Sequence, residues 1–372
     1  MSLLAHLSCL LNSGFKDAFQ RLVTPENLYL LSFLLICTLI SLVVITYLYL
    51  YLRRKAFFAR TRIKKNLELW ISNVILNEDE GGEFKVPSKF QKIFKSPEAR
   101  QYAIDNLILN KRSFSGFVAE NIVQLYERLD LKQDSIKKLK SRFWYDRAKG
   151  IQELYLMDQS NQFIKVYRLT NSKNEFVRME AQTAIIHWSG FNGLRFLDVV
   201  TNPISEWQQI KLLEQLRNFQ PQVMPKLSKW LKSNNYTVVI FAIKLSAIYQ
   251  QLQVVNEVAA CLEHPREEVR IEAVKALIRI GDAESADQMI RQYPRERFTN
   301  KFNILNSLFY LSEDQHVTFL YQELDNQNDF LKLSAAKALA RVAGTELLEQ
   351  KAKIQPQPFE QIYKHVKQEL AL

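Results

Sequence analysis

His264–Gly281, HPREEVRIEAVKALIRIG, reads as one complete helix with its punctuation. Pro265 opens it, Glu267 and Glu268 fill the first turn, where the helix dipole favours carboxylates, and Gly281 ends it. Val269, Ala273, Val274, Ala276, Leu277 and Ile280 form an apolar stripe broad enough to need covering. Ala273 and Ala276 are small, so a neighbouring helix can approach closely. After Gly281 a second, shorter helix is expected near residues 284–293, ending before Pro294.

The same pattern recurs along the chain. A backward shift of 31 residues sets Val238 and Ala242 of NNYTVVIFAIKLSAI on Val269 and Ala273. Forward shifts reach NKFNILNSLFYL and then NDFLKLSAAKALARVAG, whose Leu331, Lys332, Ala335, Ala338 and Leu339 repeat the spacing. Asn174–Gly190, NEFVRMEAQTAIIHWSG, places Val177, Arg178, Glu180, Ala181 and Ala184 on Val269, Arg270, Glu272, Ala273 and Ala276. EWQQIKLLEQL and DRAKGIQEL fit with slight slippage. First helices are therefore expected to begin near residues 146, 177, 208, 238, 269, 300 and 331. The intervening stretches NQFIKVYRL, LRFLDVV, QVMPKLSKWL, VVNEVAACLEH, SADQMIRQY, HVTFLYQEL and PFEQIYKHVKQEL supply second helices. Such pairs cannot bury their stripes alone and must stack. The fold class that follows is all-α, an α-solenoid of about seven helical pairs over residues 146–372.

These residues carry a family resemblance. The xxVRxEAxxAL core, matched by Val269, Arg270, Glu272, Ala273, Ala276, Leu277 and the closing Gly281, and by Val177, Arg178, Glu180, Ala181 and Ala184, resembles HEAT repeats, especially the short bacterial form also seen in phycobilisome lyases. It covers roughly residues 146–345. The resemblance implies an armadillo-type solenoid, a protein-binding scaffold more often than an enzyme, and structural roles for Arg178 and Arg270 at neighbouring helix ends.

Ahead of the repeats, Leu28–Leu52 runs for 25 residues without a charge. About 20 apolar residues span a bilayer core. Thr24, Pro25 and Glu26 mark a helix start, and Tyr29, Tyr47, Tyr49 and Tyr51 match interfacial aromatic belts. A buried soluble helix would rarely be so uniformly apolar, and a signal peptide would have a shorter core and a small-residue cleavage site. Arg53, Arg54, Lys55, Arg60, Arg62, Lys64 and Lys65 follow without an acid, so the positive-inside rule puts the remainder in the cytoplasm. The expectation is a single-pass protein of a bacterial inner membrane: an extracytoplasmic tail over residues 1–26, a span over 27–52, and basic juxtamembrane and capping helices over 53–145. Leu3, Leu4, Leu7, Leu11, Phe15, Phe19 and Leu22 give the tail helical spacing suited to an interface, though a disordered tail fits almost as well.

Composition narrows the function. Nine glycines in 372 residues undersupply folds built on phosphate loops or tight strand turns. Three cysteines and five histidines show no zinc or disulfide spacing. NEDEGGEF at 77–84 fails as a calcium loop, because Ser88 stands where a bidentate Glu is required. No phosphate loop, dinucleotide turn, nucleophile elbow or HExxH pair occurs, and no cofactor is expected. The net charge of +11 is concentrated: residues 53–149 hold 22 basic against 12 acidic groups, whereas residues 150–372 hold 26 against 25. A nearly neutral repeat region argues against nucleic acid as partner. The basic excess instead suits anionic lipid. The sequence therefore reads as a non-enzymatic, membrane-anchored scaffold with a protein partner, possible settings being an envelope, polysaccharide-synthesis or secretion assembly. Two HEAT-like enzyme classes, bilin lyases and alkylpurine DNA glycosylases, supply the alternative.

Overall fold

The computed structural model describes residues 25–76 and 86–370, and among them every regular element is helical. The expected N-terminal interfacial helix, the Thr24 cap and the acidic turn at 77–84 lie outside the described residues. The chain divides into two units, Met1–Leu125 and Tyr126–Leu372.

The first unit contains α1 (Pro25–Leu76), α2 (Ser88–Ile93) and α3 (Pro97–Ser113). α1 is one helix of 52 residues that runs through the apolar stretch and the basic cluster without a break. Its 24-residue segment Ser32–Lys55 is long and apolar enough to cross a membrane, and no part of that window is covered by protein. The hydroxyls of Ser32 and Thr38 donate to carbonyls one turn back, at 2.9 and 2.8 Å. They are thus satisfied within their own helix, as an apolar surrounding demands. The far end of α1 behaves differently. The sequence suggests that its apolar face, with Leu67, Leu69, Trp70, Val74 and Ile75, rests partly on lipid. Instead, Leu67, Ile71 and Ile75 are buried, and Trp70 stacks on Phe90 at 4.7 Å. Leu69 remains exposed. Period and hydrophobicity mark an apolar face but not its cover.

α4 (Phe117–Arg128) carries the chain into the second unit, which continues with α5 (Lys132–Leu139). The sequence suggests one helix from Ser135 to Trp144; α5 ends at Leu139, and Trp144 opens the next helix. Then come α6 (Trp144–Leu156), α7 (Phe163–Tyr167), α8 (Glu175–Ser189), α9 (Glu206–Leu216), α10 (Leu227–Trp230), α11 (Tyr236–Ile248) and α12 (Val255–Ala260). The series closes with α13 (Glu267–Ile280), α14 (Ala283–Gln292), α15 (Phe298–Leu311), α16 (Val317–Glu323), α17 (Asp329–Ala343), α18 (Glu346–Ile354) and α19 (Pro356–Leu370).

α6, α8, α9, α11, α13, α15 and α17 start at 144, 175, 206, 236, 267, 298 and 329, about two residues before the positions the motif suggests. The shift has a local cause, because the apolar motif begins at the third residue of each helix. The side chains of Asn174, Ser205, Asn235 and Asn328 accept bonds from backbone N–H groups of the first turn, a cap worth about 1 kcal/mol each. Several second members are shorter and less regular than the sequence suggests, whereas α14 and α19 fill their expected stretches. LRFLDVV is not α-helical: its first five residues close a 3₁₀ helix, Gly190–Asp198, and only Leu227–Trp230 of QVMPKLSKWL is α-helical. One core runs from Ile186 to Val366, and a smaller one gathers Leu139, Ile151, Leu154, Val177 and Ile185.

Candidate interaction surface

The motif residues divide into packing and coupling groups. Val177, Ala181, Val269, Ala273, Ala276 and Leu277 are all buried, each against neighbouring helices of the array. Gly281 follows α13 with an ordinary extended backbone; a Cβ there would meet the Leu277 carbonyl oxygen at 2.6 Å, so close approach is what demands glycine. Glu180 on α8 accepts from Lys211 on α9 at 2.7 Å. Burial raises the Glu272 carboxyl above its usual range, with Lys244 and Lys275 partly offsetting this.

The arginines join successive loops. Arg178 donates from Nη1 to the Ser172 carbonyl at 2.8 Å and from Nη2 to the Pro203 carbonyl, in the loop before α9, at 3.4 Å. Arg270 donates from Nη1 to the His264 carbonyl at 3.0 Å, and its Nε and Nη2 fork onto Glu296, before α15, at 2.6 and 3.1 Å. Gln209 does the same work on α9: its amide reaches the Ile204 carbonyl at 3.2 Å and the Thr237 carbonyl at 3.5 Å. An asparagine ladder runs alongside. Asn202 donates to Asn171 at 3.1 Å, and Asn235 donates to the Asn202 carbonyl at 3.0 Å. The loops that precede α8, α9 and α11 are therefore joined in one row, and those that precede α13 and α15 in another.

The edge formed by the starts of α6, α8 and α9 is aromatic. Tyr145, Phe176 and Trp207 each occupy the second position of α6, α8 and α9, and are 53%, 51% and 69% exposed. The position points outward because the buried motif begins one residue later. Phe143 and Trp144 join them; Trp144 stacks on Phe176 at 5.0 Å, and the Arg142 guanidinium sits 4.7 Å from the Phe143 ring. Phe330 holds the same register on α17. The sequence motif did not single these residues out, although their spacing of 31 equals the repeat.

On α1, Arg53, Arg54, Lys55, Arg62, Lys64 and Lys65 are exposed, and Lys64 lies 5.0 Å from the Tyr102 ring. The Arg60 side chain lies outside the described residues. His187 pairs with Asp158 at 3.0 Å. His316 is buried, its Nδ1 accepting from the Glu313 amide at 2.9 Å, which leaves Nε2 to donate to Asp287 at 3.0 Å. Burial, together with Arg266 and Arg270, lowers the His264 imidazole below its ordinary value. Among the described residues no group of three or more His, Cys, Asp or Glu is placed to hold a metal. A recess of about 580 Å³ is lined by Ser312, Glu313, Asp314, Gln315, Arg341 and Val342.

No family model and no curated protein matches the chain. Solved structures similar to it include YibA of Escherichia coli, at 16% identity and TM-score 0.41, covering 70% of this chain and 100% of that one. Human deoxyhypusine hydroxylase aligns at 12% identity and TM-score 0.27, covering 83% and 97%. The CpcE–CpcF complex of phycocyanin lyase from Nostoc aligns at 11% identity and TM-score 0.24, covering 78% and 98%. These are HEAT-like, all-helical repeat proteins. At such scores the likeness carries no argument about function, and the repeat architecture of this chain rests on its own helices and bonds.

Proposed function

We propose that the protein is a membrane-anchored cytoplasmic scaffold that holds a protein partner on its helical repeats. The observation that carries this reading is the joining, in one chain, of a 24-residue uncovered apolar helix to an array of stacked helices. The basic residues after the apolar segment favour the cytoplasmic side for the array. Tethering concentrates the array at the bilayer without any new contact, which suits the organisation of an envelope assembly. Exposed apolar side chains on the second members and their loops, among them Ile164, Val223 and Leu252, offer contact area away from the core.

The test is fractionation with site-specific photocrosslinking in intact cells. The full chain is expected in the carbonate-resistant membrane pellet, with a reporter fused after Leu372 active in the cytoplasm, and crosslinkers at Ile164 and Leu252 should trap the same protein reproducibly. A freely soluble chain, or a reporter active only outside the cytoplasm, would sink the proposal.

A further inference from the structure

We infer that the edge carrying Trp144, Tyr145, Phe176 and Trp207 seats in the headgroup layer of an anionic membrane. The inference rests on the membrane-anchored reading above and adds a second, peripheral contact to it. A single exposed aromatic ring is ordinary, but these belong to three consecutive repeats and stack across the boundary between two of them. Indole and phenol rings favour the bilayer–water interface, where the apolar body and the polar tip are both satisfied. The rings stand at the starts of three consecutive first helices, and the loops leading to Phe176 and Trp207 are joined by hydrogen bonds.

Charge agrees beside these rings. Lys140 and Arg142 are exposed in the loop leading to Trp144, and Lys173 in the loop leading to Phe176. Cations beside interfacial rings match anionic headgroups. Glu175 and Glu206, also exposed, stand in helix first turns, where the positive dipole end compensates them. A surface of this modest size would bind lipid only marginally by itself; a covalent anchor raises its effective concentration and removes that limit.

The full chain is reconstituted into vesicles of phosphatidylcholine and phosphatidylglycerol, with or without brominated acyl chains. Flotation with the vesicles reads the anchor, and quenching of tryptophan fluorescence by the brominated lipid reads the edge. The Trp144→Phe/Trp207→Phe variant keeps aromatic rings at both positions and removes two of the five tryptophans. The edge inference expects strong quenching of the wild type and loss of at least half of it in the variant, with matching circular dichroism. Quenching that is equal in the two proteins would overturn the inference, leaving the edge to a protein partner and the anchor intact. A chain that fails to float would overturn the anchored reading, and this inference with it.

Discussion

Arg270 and Glu296 are joined by a two-pronged ion pair, with Nε at 2.6 Å from Oε1 and Nη2 at 3.1 Å from Oε2, that ties the helix of one repeat to the loop opening the next. The Glu296 side chain is fully buried and that of Arg270 is 16% exposed. Removing Glu296 takes away the counter-ion and two charged hydrogen bonds of the partly buried Arg270, which keeps its bonds to backbone carbonyls, at a cost of about 2 kcal/mol. Glu296→Ala is therefore expected to lower stability by that amount in chemical denaturation of the detergent-solubilised chain. Replacing both residues by apolar ones of similar size should recover most of the loss. A Glu296→Ala protein within about 0.5 kcal/mol of the wild type would show that the pair contributes nothing.

The pair also makes a pH prediction. Burial alone would raise the Glu296 carboxyl, but the hydrogen bonds from Arg270 and Gln292 outweigh it and hold the group below its ordinary range. A depressed carboxylate contributes stability that is complete above its unfolded pKa, about 4.3, and is lost as pH falls through the lower folded value. Arg270 is shifted upward by the same bond to Glu296, so its own titration lies far above neutrality. The stability gap between wild type and Glu296→Gln should thus be constant from pH 7 to about 5 and close on further acidification. A gap that widens toward acid would contradict this sign.

Gly150 lies inside α6, where alanine would ordinarily stabilise a helix by roughly 1 kcal/mol. Here a Cβ would meet the Leu139 amide nitrogen at 2.6 Å and the Ser135 carbonyl oxygen at 2.8 Å, both backbone atoms of the region around α5. The same contact holds a buried chain in which Tyr126 donates to Ser135 at 2.9 Å and Ser135 to Glu153 at 2.6 Å. Gly150→Ala is expected to destabilise by about 2 kcal/mol, the sign being reversed by overpacking. Thermal melting of the variant decides it, and a higher melting temperature would refute the expectation.

Cys261 is buried, and burial pushes its thiol up to about 11. Only thiolate reacts, so alkylation at pH 8 should run about 100-fold slower than for an ordinary cysteine before any steric protection is added. Mass spectrometry after timed maleimide treatment should find Cys261 modified only once denaturant is present. Rapid modification of the native protein would argue that this part of the array opens readily.

Legibility in the sequence followed interaction range. The first helices of the array are readable because each carries its own apolar stripe and because motif positions such as Val269 and Ala273 recur at one spacing. Their starts lie two residues ahead of the motif because caps such as Asn174 and Asn328 stand outside it. The exposed aromatic edge is not legible in the motif, although Tyr145, Phe176 and Trp207 recur in step with the repeat. Exposure is set by what packs nearby, and aromatic residues read alone as core.

By itself, the sequence determined the helical class, the repeat spacing, the apolar segment and the location of the basic excess, since each follows from residue type over a few turns of chain. Tertiary structure decided the partners. Arg178 reaches the Pro203 carbonyl, Arg270 finds Glu296, and Leu67, Ile71 and Ile75 are covered by protein rather than lipid. It also made LRFLDVV a 3₁₀ segment, in a repeat whose Gly190 adopts φ +53° against the Phe219 ring. Those outcomes depend on groups about 20 to 35 residues apart meeting in space, a constraint that local periodicity does not contain.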